Sequence, residues 1–418
     1  MSWVGPGAGV VVGVVDDASN PGNVTGGLYS TATRAVKRQY PPSPNPWYNR
    51  TVINSVLVKP AGPDCNLRCN YCFYRQKAGM FDGKQHRMSD RLLESLISQC
   101  MAMGVNTFSW QGGEPAIMGL DFFRKVVELE IEHGAPGTSV ANAFQTNGTL
   151  LDAEWARFFA EYSFLIGLSL DGPARLHDHY RKDTSGKGTH KRVMDTAKLL
   201  RDNGVEFNIL ALVNDVNVKE PDAVWDFMKS SDFAFLQFVP CIEPGGKGKR
   251  ASFSIGPEEF GEFLVKVFDR WVEDFPDVSV RDFDDLLARE VGMVPGTCTV
   301  SERCGSYVVI EHNGDVFACD FFVTAKWRLG NMLQTPLEEL VQSEQLEEFA
   351  RAKGEHGPVC ASCKYLPWCH GGCQKHRIVL EGELTSPSYF CKSYKRLFAH
   401  ALPKMPELAQ RLRELGRV

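Results

Sequence analysis

The chain is predicted to be an α/β protein, parallel strands with helices outside, followed by a smaller cysteine-rich unit held by metal. Three observations predict this. From Thr51 to Pro240, short apolar runs alternate with amphipathic segments through about six β-α repeats, which calls for parallel strands covered by helices. Eleven of the thirteen cysteines crowd into two regions, Cys65 to Cys72 and Cys298 to Cys391. After Pro240 the alternation stops, and from Gly296 to Cys391 the composition becomes turn-rich and cysteine-dense. The spacing alone suits either a doubly wound sheet or a barrel.

Residues 1–50 are rich in Gly, Pro, Ser, Thr and Asn and end in Pro41-Pro42-Ser43-Pro44-Asn45-Pro46, so they read as a flexible N-terminal extension, with a docked arm or leader-like segment as the alternative. Residues 51–243 carry the repeats. Val52 to Val58 is predicted as a strand, Ser89 to Met103 as a helix capped by Ser89, and Asn106 to Trp110 as the next strand. Leu120 to His133, Asp152 to Tyr162, His190 to Asn203 and Pro221 to Ser230 read as helices. Val140 to Gln145, Leu165 to Leu170, Glu206 to Val213 and Phe235 to Val239 read as strands. Residues 244–295 form a bridge, with helices expected over Pro257 to Phe275 and Asp282 to Val291. Residues 296–402 form the cysteine-rich unit, and 403–418 a helical tail.

Hydrophobic content of 43% and charged content of 23% suit a soluble globular protein. A net charge of -5 favours neither a nucleic-acid partner nor an acidic membrane surface. No apolar run approaches the roughly 20 residues that span a bilayer, and Met1 to Val15 lacks the basic start of a secretory signal. A cytoplasmic location is expected. An odd cysteine count in two clusters fits metal sites better than a disulfide framework. Cys100, on a stripe with Leu93, Leu96 and Ile97, and Cys241, closing an apolar run, read as core residues.

The first cluster is Cys65-x3-Cys69-x2-Cys72, directly after the first strand. Three thiolates on one loop can hold three irons of a [4Fe-4S] cluster and leave the fourth open to a small molecule. Taken alone, they also suit an incomplete zinc site or buried thiols. Gln111-Gly112-Gly113-Glu114-Pro115 follows a strand, where paired glycines let backbone approach a ligand closely. Further polar strand ends are Gln145-Thr146-Asn147-Gly148 and Ser169-Leu170-Asp171-Gly172-Pro173, which otherwise read as ordinary turns. The second cluster is Cys298, Cys304, Cys319, Cys360, Cys363, Cys369, Cys373 and Cys391, enough thiolates for two [4Fe-4S] clusters or for two structural zinc sites.

The Cys65 loop and the Gly112-Gly113-Glu114-Pro115 segment resemble the signature of radical S-adenosylmethionine (SAM) enzymes. The C-terminal cysteine spacing resembles the SPASM domain of radical SAM peptide maturases. From about Ile53 to Leu402 the local wording is most similar to anaerobic sulfatase-maturating enzymes, for example Cys72-Phe73-Tyr74, Gly167 to Pro173, Cys319-Asp320-Phe321-Phe322 and Trp327 to Asn331. The resemblance implies a partial (β/α)6 barrel, three [4Fe-4S] clusters and S-adenosyl-L-methionine. It makes Gly112, Gly113 and Glu114 cofactor contacts, with Ser169 and Arg181 as further candidates. It implies that Cys298, Cys304, Cys319 and Cys373 hold the nearer auxiliary cluster, and Cys360, Cys363, Cys369 and Cys391 the distal one.

The activity implied is oxidation of a peptidyl Cys or Ser to formylglycine, begun by a 5'-deoxyadenosyl radical taking hydrogen from Cβ. Asp320 is then the base, its pKa expected to be raised by burial and nearby negative charge, and Tyr74 and Gln111 are active-site residues. The partners implied are a peptide or unfolded protein substrate, either a sulfatase or a precursor peptide, and an electron donor such as flavodoxin or ferredoxin. Two alternatives stand beside this. One is a maturase of the same architecture that installs a thioether, a carbon-carbon crosslink or another oxidised side chain in a ribosomal peptide. The other is a non-catalytic electron carrier or zinc scaffold.

Overall fold

A computed structural model describes Val10–Val11 and residues 52–418. The extension predicted over residues 1–50 therefore lies outside the described residues, apart from a two-residue strand β1 (Val10–Val11) paired antiparallel to the start of β4. The organising element is a sheet of eleven strands. Within it runs β2 (Ser55–Lys59), flanked by strands on both sides and buried at all five positions because both its faces are covered, Val56 and Val58 by one apolar cluster and Leu57 by another.

The strands β2, β3 (Thr107–Trp110), β4 (Ser139–Thr146), β5 (Leu165–Ser169), β6 (Phe207–Val213) and β7 (Phe235–Pro240) follow one another in space as in sequence, all parallel. The helices between them are α1 (Asp90–Ala102), α2 (Leu120–His133), α3 (Ala153–Glu161), α4 (Ala174–Tyr180), α5 (His190–Asp202) and α6 (Pro221–Ser230). Every strand and helix expected in this region is present, with ends shifted by a few residues. The short helix α4 is an addition, in a stretch where Asp171-Gly172-Pro173 reads only as a turn. Local chemistry sets the helix starts. Ser89 accepts from the Leu92 N–H, and Asp152 accepts from the Glu154 and Trp155 N–H groups. Leu92, Leu93, Leu96, Ile97 and Cys100 form the buried face of α1, so Cys100 is a core residue.

After β7 come a hairpin, β8 (Pro244–Gly246) with β9 (Lys249–Arg250), then α7 (Pro257–Asp274), β10 (Ser279–Val280) and α8 (Arg281–Glu290). The chain then returns to the sheet. The strand β11 (Tyr307–Glu311) lies parallel to β2 over five residue pairs, and β12 (Asp315–Phe317) and β13 (Arg328–Asn331) extend it antiparallel. One sheet thus crosses the boundary placed at residue 296.

Two apolar clusters clamp the sheet. One contains Phe108, Trp110, Phe123, Phe144, Trp155 and Phe159 under α1–α3. The other gathers Phe260, Phe263, Phe268 and Trp271 of α7 with Phe390 and with Leu397 and Phe398 of the helix Cys391–Ala401. Each fully buried side chain of this kind contributes roughly 1.5–3 kcal/mol, so the cysteine-rich region is fixed to α7 by packing as well as by its strands. Gly261 permits the contact: a Cβ there would stand 3.0 Å from the Ser393 Cα. Among the described residues no helix is long and apolar enough to cross a membrane.

Candidate active site

The C-terminal ends of the parallel strands surround a cavity of about 210 Å³, the place where barrel folds collect their chemistry. Cys65, Cys69, Cys72, Tyr74, Gln111, Gly112, Gly113, Ser169, Arg181 and Asp320 all line it. Residues more than 250 positions apart in the chain meet here because β11 lies beside β2.

The Cys65 loop is held from both sides. The Arg68 N–H donates to the Lys182 carbonyl at 2.8 Å, and Asn147 Nδ2 donates to Asn66 Oδ1 at 2.9 Å and reaches Cys65 Sγ at 3.7 Å. Burial pushes the free thiol of Cys65 up to about 12 and that of Cys69 up to about 11. Thiolates crowded on one loop need positive charge beside them, which bound iron would provide. Cys72, at the end of the loop, completes a set of three thiols around one space, which fits a cluster with one iron left open.

Beside the start of the cysteine loop, Gly112 has φ +123°, and a Cβ on Gly113 would stand 1.9 Å from the Asp64 carbonyl oxygen. The Gly113 and Glu114 N–H groups are engaged by the Gly62 and Asp64 carbonyls, each at 2.8 Å. Glu114 does not face the cavity. Its carboxylate is buried behind the turn and accepts from the Ala116 N–H, Thr146 Oγ1 and the Asn147 N–H at 2.8–3.1 Å. Burial pushes it up to about 7 against those three donors. Its side chain braces the glycine turn against the end of β4.

Arg181 reaches the cavity edge through a two-point pair with the fully buried Asp171: Nε to Oδ2 at 2.9 Å and Nη2 to Oδ1 at 3.0 Å. Tyr71 Oη also donates to Asp171, as does the Leu212 N–H at 3.0 Å. Burial pushes the Asp171 carboxyl up, and Arg181 more than offsets this, holding it below the ordinary aspartate value.

Asp320, also on the cavity wall, is ion-paired with Lys59, the last residue of β2. The Lys59 ammonium also lies 3.9 Å from Glu311 and 3.5 Å from the centroid of the Tyr74 ring. Tyr74 Oη donates to Glu311 Oε2 at 2.6 Å. All four side chains are buried. The expectation of a raised Asp320 pKa is corrected here. Burial does push its carboxyl up, but the Lys59 cation outweighs burial and holds it below the ordinary value. The carboxylate is ionised and able to accept a proton.

Cys241, expected as plain core, is buried and also lines the cavity, with its thiol pushed up to about 12 by burial. Lys375 and Glu243 form an ion pair at the same wall.

The remaining eight cysteines stand around two smaller cavities. Cys298, Cys304, Cys319 and Cys373 line one, together with Tyr307, Lys353, Gln374 and Phe321. Cys360, Cys363, Cys369 and Cys391 line the other, with Tyr394 and Phe398. Phe321 also borders the large cavity, so the first of these is its immediate neighbour. Among the described residues no three His, Cys, Asp or Glu side chains converge on a single-ion site. Four thiols spread around a cavity suit a polynuclear cluster better than one tetrahedral ion.

Sequence reasoning passed over Lys59, Glu311 and Asp171. Lys59 carried a signal, a lysine closing an otherwise apolar strand that is buried at every position. Asp171 in Asp-Gly-Pro reads as a turn residue, and Glu311 stands in no motif that marks it.

The radical SAM superfamily model matches residues 60–228, and the SPASM model, an iron-sulfur cluster-binding domain, matches 298–364. A serine-type anaerobic sulfatase-maturating enzyme of Bacteroides thetaiotaomicron is 39% identical over 85% of this chain and 91% of its own length. A cysteine-type enzyme of Clostridium perfringens is 38% identical over 86% and 99%. The solved structure of native anSMEcpe with bound AdoMet superposes with a TM-score of 0.79 at 37% identity, over 85% of this chain and 99% of that one. The structure of Streptococcus suis SuiB bound to precursor peptide SuiA, at 18% identity and a TM-score of 0.60, shares the fold. At 38–39% identity to characterised relatives over more than four-fifths of its length, and with both family models matched, the chain belongs to the anaerobic sulfatase-maturating family of radical SAM, SPASM-bearing enzymes.

Proposed function

We propose that the chain oxidises the side chain of a peptidyl cysteine or serine to formylglycine in the cavity bounded by Cys65, Gly113 and Asp320. One observation carries the proposal: a buried, ionised carboxylate held by Lys59 lines the same cavity as three cluster-competent thiols and the glycine turn. Serine-type and cysteine-type relatives stand at nearly equal identity to the chain, and a relative's structure contains the Cp18Cys peptide along with AdoMet.

In this proposal Cys65, Cys69 and Cys72 hold a [4Fe-4S] cluster, and Gly112, Gly113, Ser169 and Arg181 surround bound S-adenosylmethionine. When bound, that pair supplies the carbon-centred radical that takes a hydrogen atom from the substrate Cβ. The protein's own contribution is position and proton handling. Asp320 takes the proton from the substrate hydroxyl or thiol, a role worth typically 10²–10⁴-fold in such reactions. Lys59 keeps the carboxylate ionised and aimed, and Tyr74 and Glu311 keep Lys59 in place. Gln111, whose N–H extends the β2–β3 ladder by donating to Val58 O at 2.9 Å, orients the substrate beside the glycine turn. A serine loses two hydrogens to become the aldehyde, and a cysteine gives a thioaldehyde that water converts to the same aldehyde and hydrogen sulfide. The eight C-terminal cysteines would hold clusters able to accept the second electron, and a flavodoxin- or ferredoxin-type protein would supply the first.

The test is an anaerobic incubation of iron-loaded protein with S-adenosylmethionine, a strong reductant and a peptide carrying Cys or Ser in a sulfatase-like sequence. Mass spectrometry should find formylglycine in the peptide and 5'-deoxyadenosine formed alongside it. Cofactor cleavage with both peptides unchanged would reject the proposal.

A further inference from the structure

The C-terminal region buries two cations that have no acidic partner among the described residues. Lys353 is 0% exposed and Arg377 is 2% exposed. Lys353 Nζ donates to the carbonyls of Cys298, Thr299 and Gly372 at 2.8, 2.9 and 3.2 Å. Arg377 donates to the carbonyls of Gly371, Glu355, Leu384, Lys353 and His370 at 2.8–3.3 Å. Carbonyls satisfy the hydrogen bonds and leave the charge uncompensated, which is costly at this depth unless a negative group is near. The groups that are near are thiols. Lys353 lines the cavity of Cys298, Cys304, Cys319 and Cys373. Arg377 lies within electrostatic reach of Cys360 and Cys369 of one cavity and of Cys304 and Cys373 of the other.

We propose that Lys353 and Arg377 are built-in counter-charges for anionic clusters in the two cavities, and that Lys353 sets the reduction potential of the cluster held by Cys298, Cys304, Cys319 and Cys373. The inference rests on the reading that these cysteines carry iron-sulfur clusters. A reduced cluster carries one more negative charge than an oxidised one. A fixed cation beside it therefore favours reduction, and local charge is one of the levers that tune such potentials.

The test uses the full chain with Cys65, Cys69 and Cys72 changed to alanine, so that only the C-terminal cysteines retain iron. Iron content is measured, and a redox titration is followed by electron paramagnetic resonance. Lys353→Gln keeps N–H donors for the carbonyls and removes the charge, so it should shift one cluster to a more negative potential at unchanged iron content. Lys353→Arg keeps the charge and should titrate close to the parent. Full iron content in Lys353→Gln at the parent potential would overturn the inference and leave the cluster reading intact. A parent that takes up no iron would overturn the cluster reading, and the inference with it. If Lys353→Gln loses iron, the arginine variant decides: restored iron and potential support the charge role, and failure to restore them overturns it.

Discussion

At the scale of single residues, two buried ion pairs govern the site. Asp320→Asn should abolish aldehyde formation, a loss of about 10²–10⁴-fold, while iron content and folding stay unchanged. Quantitative mass spectrometry of the peptide checks this. Lys59→Met should also slow the reaction, because it leaves Asp320 and Glu311 buried together without their shared cation. The second pair, Asp171 with Arg181, gives a stability prediction with a definite sign. Burial raises the Asp171 pKa and Arg181 lowers it further, so the folded value lies below the unfolded one of about 3.9. The stability contributed is complete above that unfolded value and is lost as pH falls through the lower folded value. Asp171→Asn strands a buried guanidinium and should cost about 3–5 kcal/mol near neutrality. Denaturant titrations should show this cost shrinking as pH falls below about 4. The cysteines and Asp320 were legible in the sequence because spacing and motif mark them. Lys59, Glu311 and Asp171 were not, because their roles arise from partners about 10 to 260 positions away that only the folded sheet brings close.

Among the elements, the glycine turn after β3 has the least tolerance. A Cβ at Gly113 would occupy the space of the Asp64 carbonyl, backbone that itself carries the Cys65 loop. Gly113→Ala should therefore weaken S-adenosylmethionine binding by at least about tenfold, or 1.4 kcal/mol, and calorimetry measures it directly. The six parallel strands and their helices could be read from periodicity, since each strand is a short apolar run and each helix presents one apolar face. The helix α4 could not, because its seven residues include two histidines and begin after a Pro that signals a turn. Nor could β11–β13. Their segments are short, lie between cysteines and glycines, and gain strand character from neighbours that periodicity does not reveal.

For the molecule as a whole, the relevant fact is that β11 continues the barrel sheet. The sequence divides sharply at residue 296 because composition changes there, yet composition says nothing of where the next strand pairs. A chain ending at residue 295 would leave β2, with Val56, Leu57 and Val58, as an exposed apolar edge. It would also remove Glu311 and Asp320 from Lys59. Such a truncation should aggregate on expression, and size-exclusion chromatography of the soluble fraction would show it. The central claim is that hydrogen removal and proton removal occur on one substrate side chain within one cavity. The most direct measurement is an anaerobic reaction with a peptide dideuterated at the Cβ of its target Cys or Ser, comparing the parent protein with Asp320→Asn. The expected result is deuterium in 5'-deoxyadenosine from both proteins, with formylglycine formed by the parent alone. Both deuteriums retained in the peptide while the cofactor is consumed, or formylglycine formed equally by both, would contradict the account.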